Sequence, residues 1–397
     1  MLYKPFQNIN LSCLGMGAMR LPKTGEGEKI DEQRAREIIE YAYSNGLNYF
    51  DTAYRYHAGE SETFMGKALK DKKRDSFYLA TKFPGHMMEK TDDGKLKFTG
   101  LLASHPPVAA VSDIFDRQLE KCGVDYFDFY LLHNVCETAW DFYTDEEIGC
   151  IRYLLEQKRK GRIHHLGFSA HARAETIEKF LDKYDCFEFV QIQLNYLDWT
   201  LQNASKKYEV IKKHGLPVVV MEPCRGAKLA SINENLNALL KEKRPDASIA
   251  SWAFRFLQSL PGVQVVLSGM TTLEQLKDNI KTFSTNDPTS EAEKELLFTI
   301  AGKLADTVPC TACRYCCEDC PQSLDIPKLI SLYNEYTYGK TANLAFTTLP
   351  FTIGAMKPEE LPSACIACGS CAKVCPQSID IPAVLEKFAE VLKSKTA

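Results

Sequence analysis

Eight times between Leu11 and Lys281 a short apolar run is coupled to a stretch of helical spacing, and this alternation constrains the fold more than any other feature. The apolar runs are Leu11–Gly17, Asn48–Ala53, Phe77–Phe83, Phe127–His133, His165–Ser169, Val190–Asn195, Pro217–Met221 and Val263–Ser268. Between them lie Asp31–Ser44, with Ala35, Ile38, Ile39 and Ala42 on one face, Glu60–Lys70, a helix ending at Cys122-Gly123, Asp145–Lys160, Ala174–Tyr184, Gln202–His214 and Ala247–Gln258; Thr272–Lys281 closes the series. Strands alternating with helices predict a parallel sheet, and eight units in about 280 residues predict an α/β fold of the (β/α)8 TIM-barrel type over residues 1–285. A doubly wound sheet is the alternative, but no G-x-G-x-x-G follows the first run. The connections Gly85–His105 and Asn134–Thr144 are long for a barrel, which predicts that they shape a pocket at its mouth. Polar Ser284–Ser290 ends the series, and Ser290-x-x-Glu293 reads as a capping box opening a linker helix within residues 286–308.

The remainder, residues 309–397, repeats one pattern. Cys310-x2-Cys313-x2-Cys316-x3-Cys320-Pro returns as Cys365-x2-Cys368-x2-Cys371-x3-Cys375-Pro, and each copy runs through Asp-Ile-Pro into a helix. Zinc and disulfides do not account for a doubled three-plus-one spacing with a proline after each last cysteine. Three thiolates on one tight loop hold three irons of a cubane, and the fourth comes from the other copy. The spacing therefore assigns Cys310, Cys313, Cys316 and Cys375 to one 4Fe–4S cluster, and Cys365, Cys368, Cys371 and Cys320 to the other. Cys317 competes with Cys316 as third ligand. Helical patterns around both motifs favour a small all-α, two-cluster ferredoxin-like domain with pseudo-two-fold symmetry.

Nine of the fifteen cysteines belong to this repeat, and the other six show no ligand spacing, a usage that reads as cytoplasmic. A formal net charge of −4 gives no argument for nucleic acid as a partner, and no apolar run approaches the length of a membrane span.

Barrel enzymes place their chemistry at the carboxyl ends of the strands. Asp51 ends the second run, Lys82 the third and His133 the fourth, while Tyr56 lies five residues past Asp51 over the same rim. A charged residue ending an apolar strand requires a partner or a ligand; a purely structural Asp51–Lys82 pair is the plain alternative. A phenol titrates near pH 10, and a nearby cation is expected to lower that value, so Lys82, held by Asp51, would make Tyr56 a proton donor. His133 would give the same substrate oxygen a second hydrogen bond. His171 and the pair His164-His165 read as ordinary loop and strand residues.

These residues, with Phe-Asp51-Thr-Ala-x-x-Tyr56, Glu60-Ser-Glu-x-x-x-Gly66, Leu-Leu-His133-Asn and Gly161-Arg-Ile-x-x-Leu-Gly167-Phe-Ser169, resemble the aldo-keto reductases over about residues 5–285. With the cysteine repeat, the chain resembles their iron–sulfur-containing subgroup. The resemblance implies NAD(P)H across the barrel mouth, with Ser169 and Gln191 on its carboxamide. It also implies the segment around Met221, Arg225 and Gly226, and the last helix from Gly269 through Gln275 to Asn279, on its pyrophosphate and adenosine. NADP and NAD both stay open, and a flavin is not excluded. The leading function is interconversion of a small carbonyl compound and an alcohol. The alternatives are an enzyme relaying single electrons to or from ferredoxin or flavodoxin, and a non-catalytic redox sensor.

Overall fold

The computed structural model describes residues 1–25, 29–137, 139–172, 174–201, 204–304, 308–339 and 356–396. Gln202, at the start of one expected helix, lies outside these. The chain divides into two compact units, Met1–Ser231 with Asp246–Lys294, and Ile232–Pro245 with Glu295–Ala397.

The first unit is a closed barrel of eight parallel strands: β1 Leu14–Gly17, β2 Tyr49–Asp51, β3 Tyr78–Phe83, β4 Phe127–Leu132, β5 Ile163–Ala170, β6 Val190–Gln193, β7 Val218–Met221 and β8 Val263–Ser268. Each pairs with its sequence neighbours and β8 closes on β1. The intervening helices are α1 Glu32–Ser44, α2 Ser61–Leu69, α3 Val111–Cys122, α4 Cys150–Arg159, α5 Ala174–Lys183, α6 Ala204–Lys213 and α7 Ile249–Gln258, with α8 Leu273–Thr282 after β8. Phe129, Leu131, Val219, Val265 and Leu267 alternate inward from their strands and fill the interior with Tyr49 and Phe189.

Two departures from the sequence reading have local causes. The first apolar run is divided: Ile9–Ser12 pairs with Tyr3–Phe6 in an antiparallel hairpin, and only Leu14–Gly17 enters the barrel. Phe6 then packs edge-on against Phe129 and His165 at centroid distances of 5.3 and 4.9 Å, closing the amino-terminal end. The expected helix Asp145–Lys160 begins only at Cys150, because the Asp145 carboxylate accepts the Glu147 and Ile148 amides (2.7 and 3.1 Å) and Gly149 is left-handed at φ 61°. The capping box is present: Ser290 N–H donates to Glu293 Oε2 at 2.8 Å and Glu293 N–H to Ser290 Oγ at 3.3 Å, opening the helix Glu291–Leu304.

Within the second unit the sequence repeat becomes a backbone repeat. Ala312 and Ala367 (φ 56° and 54°), Arg314 and Gly369 (70° and 76°), and Ser323 and Ser378 (51° and 51°) are left-handed pairs, each 55 positions apart. Asp325 and Asp380 cap the following helices, Ile326–Gly339 and Ile381–Thr396, by accepting the Lys328 and Ala383 amides at 3.4 and 3.3 Å. Leu324 with Ile379, Ile326 with Ile381 and Ile330 with Leu385 occupy matching places in one shared core, and Phe388 is buried among them. The helical expectation for the cysteine region holds among the described residues.

Candidate active site

Strand register brings the rim residues together. Asp51 pairs with Ala80, Lys82 with Leu131, Leu132 with Phe168 and Ser169 with Gln191, so the carboxyl ends of β2 to β6 share one end of the barrel. Lys82 Nζ donates to Asp51 Oδ1 at 2.6 Å and to the Thr52 carbonyl at 2.8 Å, and lies 3.4 Å from Tyr56 OH. The Lys82 and Asp51 side chains are 0% and 3% exposed, so the pair is desolvated and its attraction little screened. The Tyr56 and His133 rings meet edge-on at 6.1 Å. Tyr143 OH donates to the carbonyls of His133 and Phe83 (2.6 and 3.2 Å), which fixes the end of β4. All four expected residues therefore converge.

Their electrostatics correct one expectation. Burial raises the Tyr56 hydroxyl above its ordinary value, and the Lys82 charge opposes this without reversing it. Asp51 is raised by burial against the pull of Lys82. Burial alone would lower Lys82, but the Asp51 charge, the Tyr56 oxygen and the hydrogen bonds to both together outweigh it and Lys82 is raised. Tyr56 thus holds its proton firmly at neutral pH. The cation favours phenolate relative to a buried tyrosine, not relative to one in water. His133 is driven well below its ordinary value by burial, and its neighbour His86 to about 3, so both imidazoles are neutral.

His86 is the residue that sequence reading missed. It belongs to the loop after β3, its ring centroid is 4.5 Å from that of His133, and each ring buries an Nδ1 with no partner. Its place inside a long mouth loop was the only sequence signal. Backbone strain gathers here too: His57 and Ala58, directly after Tyr56, are both left-handed (φ 52°), a conformation costing L-residues roughly 1–2 kcal/mol each. The motif residues flanking Tyr56 have structural work instead. Glu62 is buried and accepts Thr81 Oγ1 and Gln118 Nε2 at 2.7 and 2.5 Å, and a Cβ on Gly66 would fall on the Cys122 carbonyl.

The residues expected on a nucleotide divide into two groups. At the nicotinamide end, Ser169 Oγ accepts the Asn134 amide at 2.9 Å and keeps its own proton to donate. Gln191 Nε2 contacts Met221 Sδ at 3.7 Å, while its Oε1 is buried without a partner, which suits a carboxamide N–H. At the phosphate end most donors are internally engaged, although Arg225 Nη2 is buried without a partner. Arg225 Nε pairs with buried Asp198 Oδ1 at 3.0 Å, and Gly226 N–H donates to Glu222 Oε2 at 2.5 Å. Glu222 also meets Arg20 at 3.4 Å. Gln275 Oε1 takes the Thr271 and Thr272 amides (2.8 and 3.3 Å) at the start of α8, and Asn279 Nδ2 donates to Ser268 Oγ at 3.1 Å. Gly269 lies against Arg20, whose Cβ would be 2.9 Å from an added methyl.

In the second unit, Cys310, Cys313, Cys316 and Cys375 line one cavity, and Cys320, Cys365, Cys368 and Cys371 line another. Cys317 lines neither; it packs beside the shared core. Sulfur atoms of Cys310 and Cys365 accept the Ala312 and Ala367 amides, both at 3.4 Å, again in matching places. Among the described residues no three ligands draw close enough for a single metal ion. A cubane, which spreads its four thiolates around itself, suits this donor set better than zinc.

The aldo/keto reductase family model matches residues 13–294, and a 4Fe-4S dicluster domain model matches residues 309–379. The chain belongs to the aldo-keto reductase family. This aldo-keto reductase is 26% identical over 316 residues to an uncharacterized oxidoreductase of Bacillus subtilis, covering 73% of this chain and 92% of that one. It is 25% identical over 334 residues to an NADH-specific methylglyoxal reductase of Escherichia coli, covering 75% and 97%. An aldo-keto reductase of Bacillus halodurans in its holo form has the same fold, with a TM-score of 0.59, 24% identity and coverage of 76% and 96%. The reductase is an oxidoreductase that carries a 4Fe–4S domain; its family implies NAD(P)H and a small-molecule substrate, and no described helix is long and apolar enough to cross a membrane.

Proposed function

We propose that this reductase interconverts a carbonyl and an alcohol at the rim of the barrel, with Tyr56 as proton donor. The observation that carries the reading is the buried Asp51–Lys82–Tyr56 chain facing neutral His133. A reduced nicotinamide, when bound, supplies the hydride. Ser169 and Gln191 Oε1 would orient its carboxamide, and the substrate carbonyl oxygen would sit between Tyr56 OH and the His133 ring. As negative charge grows on that oxygen, the Tyr56 proton moves to it, and Lys82 stabilises the phenolate left behind. Neutral His133 donates a hydrogen bond without competing for the proton. Single-turnover oxidation of NADH in the presence of a carbonyl panel tests this: Tyr56→Phe should lose at least ~100-fold in rate while binding NADH as before. An unaltered rate sinks the assignment.

NADH is the better-fitting form of the cofactor. Gln275 occupies the amides at the start of α8, so a 2′-phosphate would meet donors already engaged there, whereas for the pyrophosphate common to both forms Glu222 holds Gly226 N–H but Arg225 keeps a buried, unpartnered Nη2 to donate. Glu222→Gln should tighten NADH binding; unchanged affinity would contradict this assignment.

The two four-cysteine cavities would each hold a 4Fe–4S cluster with crossed ligation. Two clusters support a second reading, in which single electrons pass to or from a carrier such as ferredoxin or flavodoxin. Because nicotinamide moves two electrons together, that reading requires a flavin or a radical-tolerant substrate between the two. Anaerobic addition of NADH decides it: bleaching of the cluster absorbance supports the relay, and unbleached clusters with no co-purifying flavin exclude it.

A further inference from the structure

Arg55, directly before Tyr56, is half-buried, and among the described residues no carboxylate pairs with it. Its polar contact is Met87 Sδ, 3.9 Å from Nη1, which places the guanidinium against the mouth loop next to His86. The other arginines on this rim are neutralised, Arg225 by Asp198 and Arg20 by Glu222. Arg55 is close enough for its charge to act on Tyr56, His86 and His133 alike. The acid of the tetrad, Asp51, is held by Lys82 at 2.6 Å. Among the described residues the mouth loop thus holds an uncompensated cation at Arg55, next to two imidazoles that each bury an unpartnered Nδ1.

A partly desolvated guanidinium without an acid is stabilised by an anionic ligand, and its planar fork suits a carboxylate in particular. We propose that Arg55, with His86 beside it, forms an anion subsite, and that the substrate is a carbonyl compound bearing a carboxylate next to its carbonyl, a 2-oxo acid being the smallest. The inference rests on Tyr56 as the proton donor. The carbonyl carbon gains the hydride and its oxygen the Tyr56 proton, giving a 2-hydroxy acid, while the carboxylate makes and breaks no covalent bond. Arg55 would fix the carboxylate so that the adjoining carbonyl faces Tyr56 and His133, and a neutral analogue would leave that cation unpaired.

The test is binding of oxamate and of its uncharged amide, oxamide, to the full cluster-loaded chain with NADH, followed by calorimetry. Oxamate should bind at least ~10-fold more tightly than oxamide, Arg55→Met should erase the difference, and Arg55→Lys should keep part of it. Equal binding of the two probes, no oxamate binding, or the same oxamate affinity in Arg55→Met would each overturn the subsite. A chain that reduces no carbonyl would overturn the Tyr56 assignment instead and leave this comparison intact.

Discussion

Replacing Lys82 by methionine keeps the shape of the side chain and removes its charge. Asp51 would then be a carboxylate 3% exposed, with Oδ1 deprived of its 2.6 Å partner and Oδ2 already without one. Breaking a buried pair from one side costs about 3–5 kcal/mol, because the remaining charge is uncompensated. Neutralising both, in Asp51→Asn with Lys82→Met, removes that cause and should recover at least ~1 kcal/mol relative to the sum of the single changes. All three tryptophans, Trp140, Trp199 and Trp252, lie in the barrel unit, so fluorescence-detected urea unfolding reads the barrel without the cluster domain. Lys82→Met within ~1 kcal/mol of the parent, or strict additivity in the double variant, would refute the argument that this pair is coupled and desolvated.

Other consequences are equally specific. Gly66→Ala should destabilise the barrel by roughly 1–3 kcal/mol through collision with the Cys122 carbonyl, whereas Gly123→Ala, facing open space but at φ 61°, is strained only by its backbone; equal stability of Gly66→Ala and the parent refutes the close approach. His86, held to about 3, and His133, held well below its ordinary value, take up protons only when unfolded. The stabilisation from His86 is complete above pH ~6.5 and is lost as pH falls towards 3, by at most ~1.4 kcal/mol per pH unit, and His133 acts in the same direction; the slope between pH 6 and 5 should flatten in His86→Asn. Cys320→Ser should roughly halve the iron content from about eight per chain, and Cys317→Ala should leave it unchanged; the reverse pattern would reassign the ligands.

Much of this was legible because it follows from short periods and rigid spacings. Eight alternations point to one parallel sheet, whose closure into a barrel the length and the missing G-x-G-x-x-G favoured over a doubly wound sheet, and Asp51, Lys82 and His133 inherit their place from strand ends. The cysteine repeat carried its own symmetry, down to left-handed Ala312 and Ala367. Two kinds of fact escaped. The amino-terminal hairpin has strands of four residues, too short for alternation to separate Ile9–Ser12 from Leu14–Gly17. His86 and Arg55 act through where a loop folds back, which no local period encodes. The direction of the Tyr56 shift also required the structure, since spacing reveals a neighbouring cation but not the depth of burial that outweighs it.

The most direct measurement follows deuterium from C4-labelled NADH into product in the anaerobic, cluster-loaded chain. Label at the carbinol carbon, lost in Tyr56→Phe and indifferent to Cys320→Ser, is the predicted result. Unlabelled product, or label transfer that disappears with the cluster and persists without the Tyr56 hydroxyl, would contradict direct hydride transfer at the barrel rim.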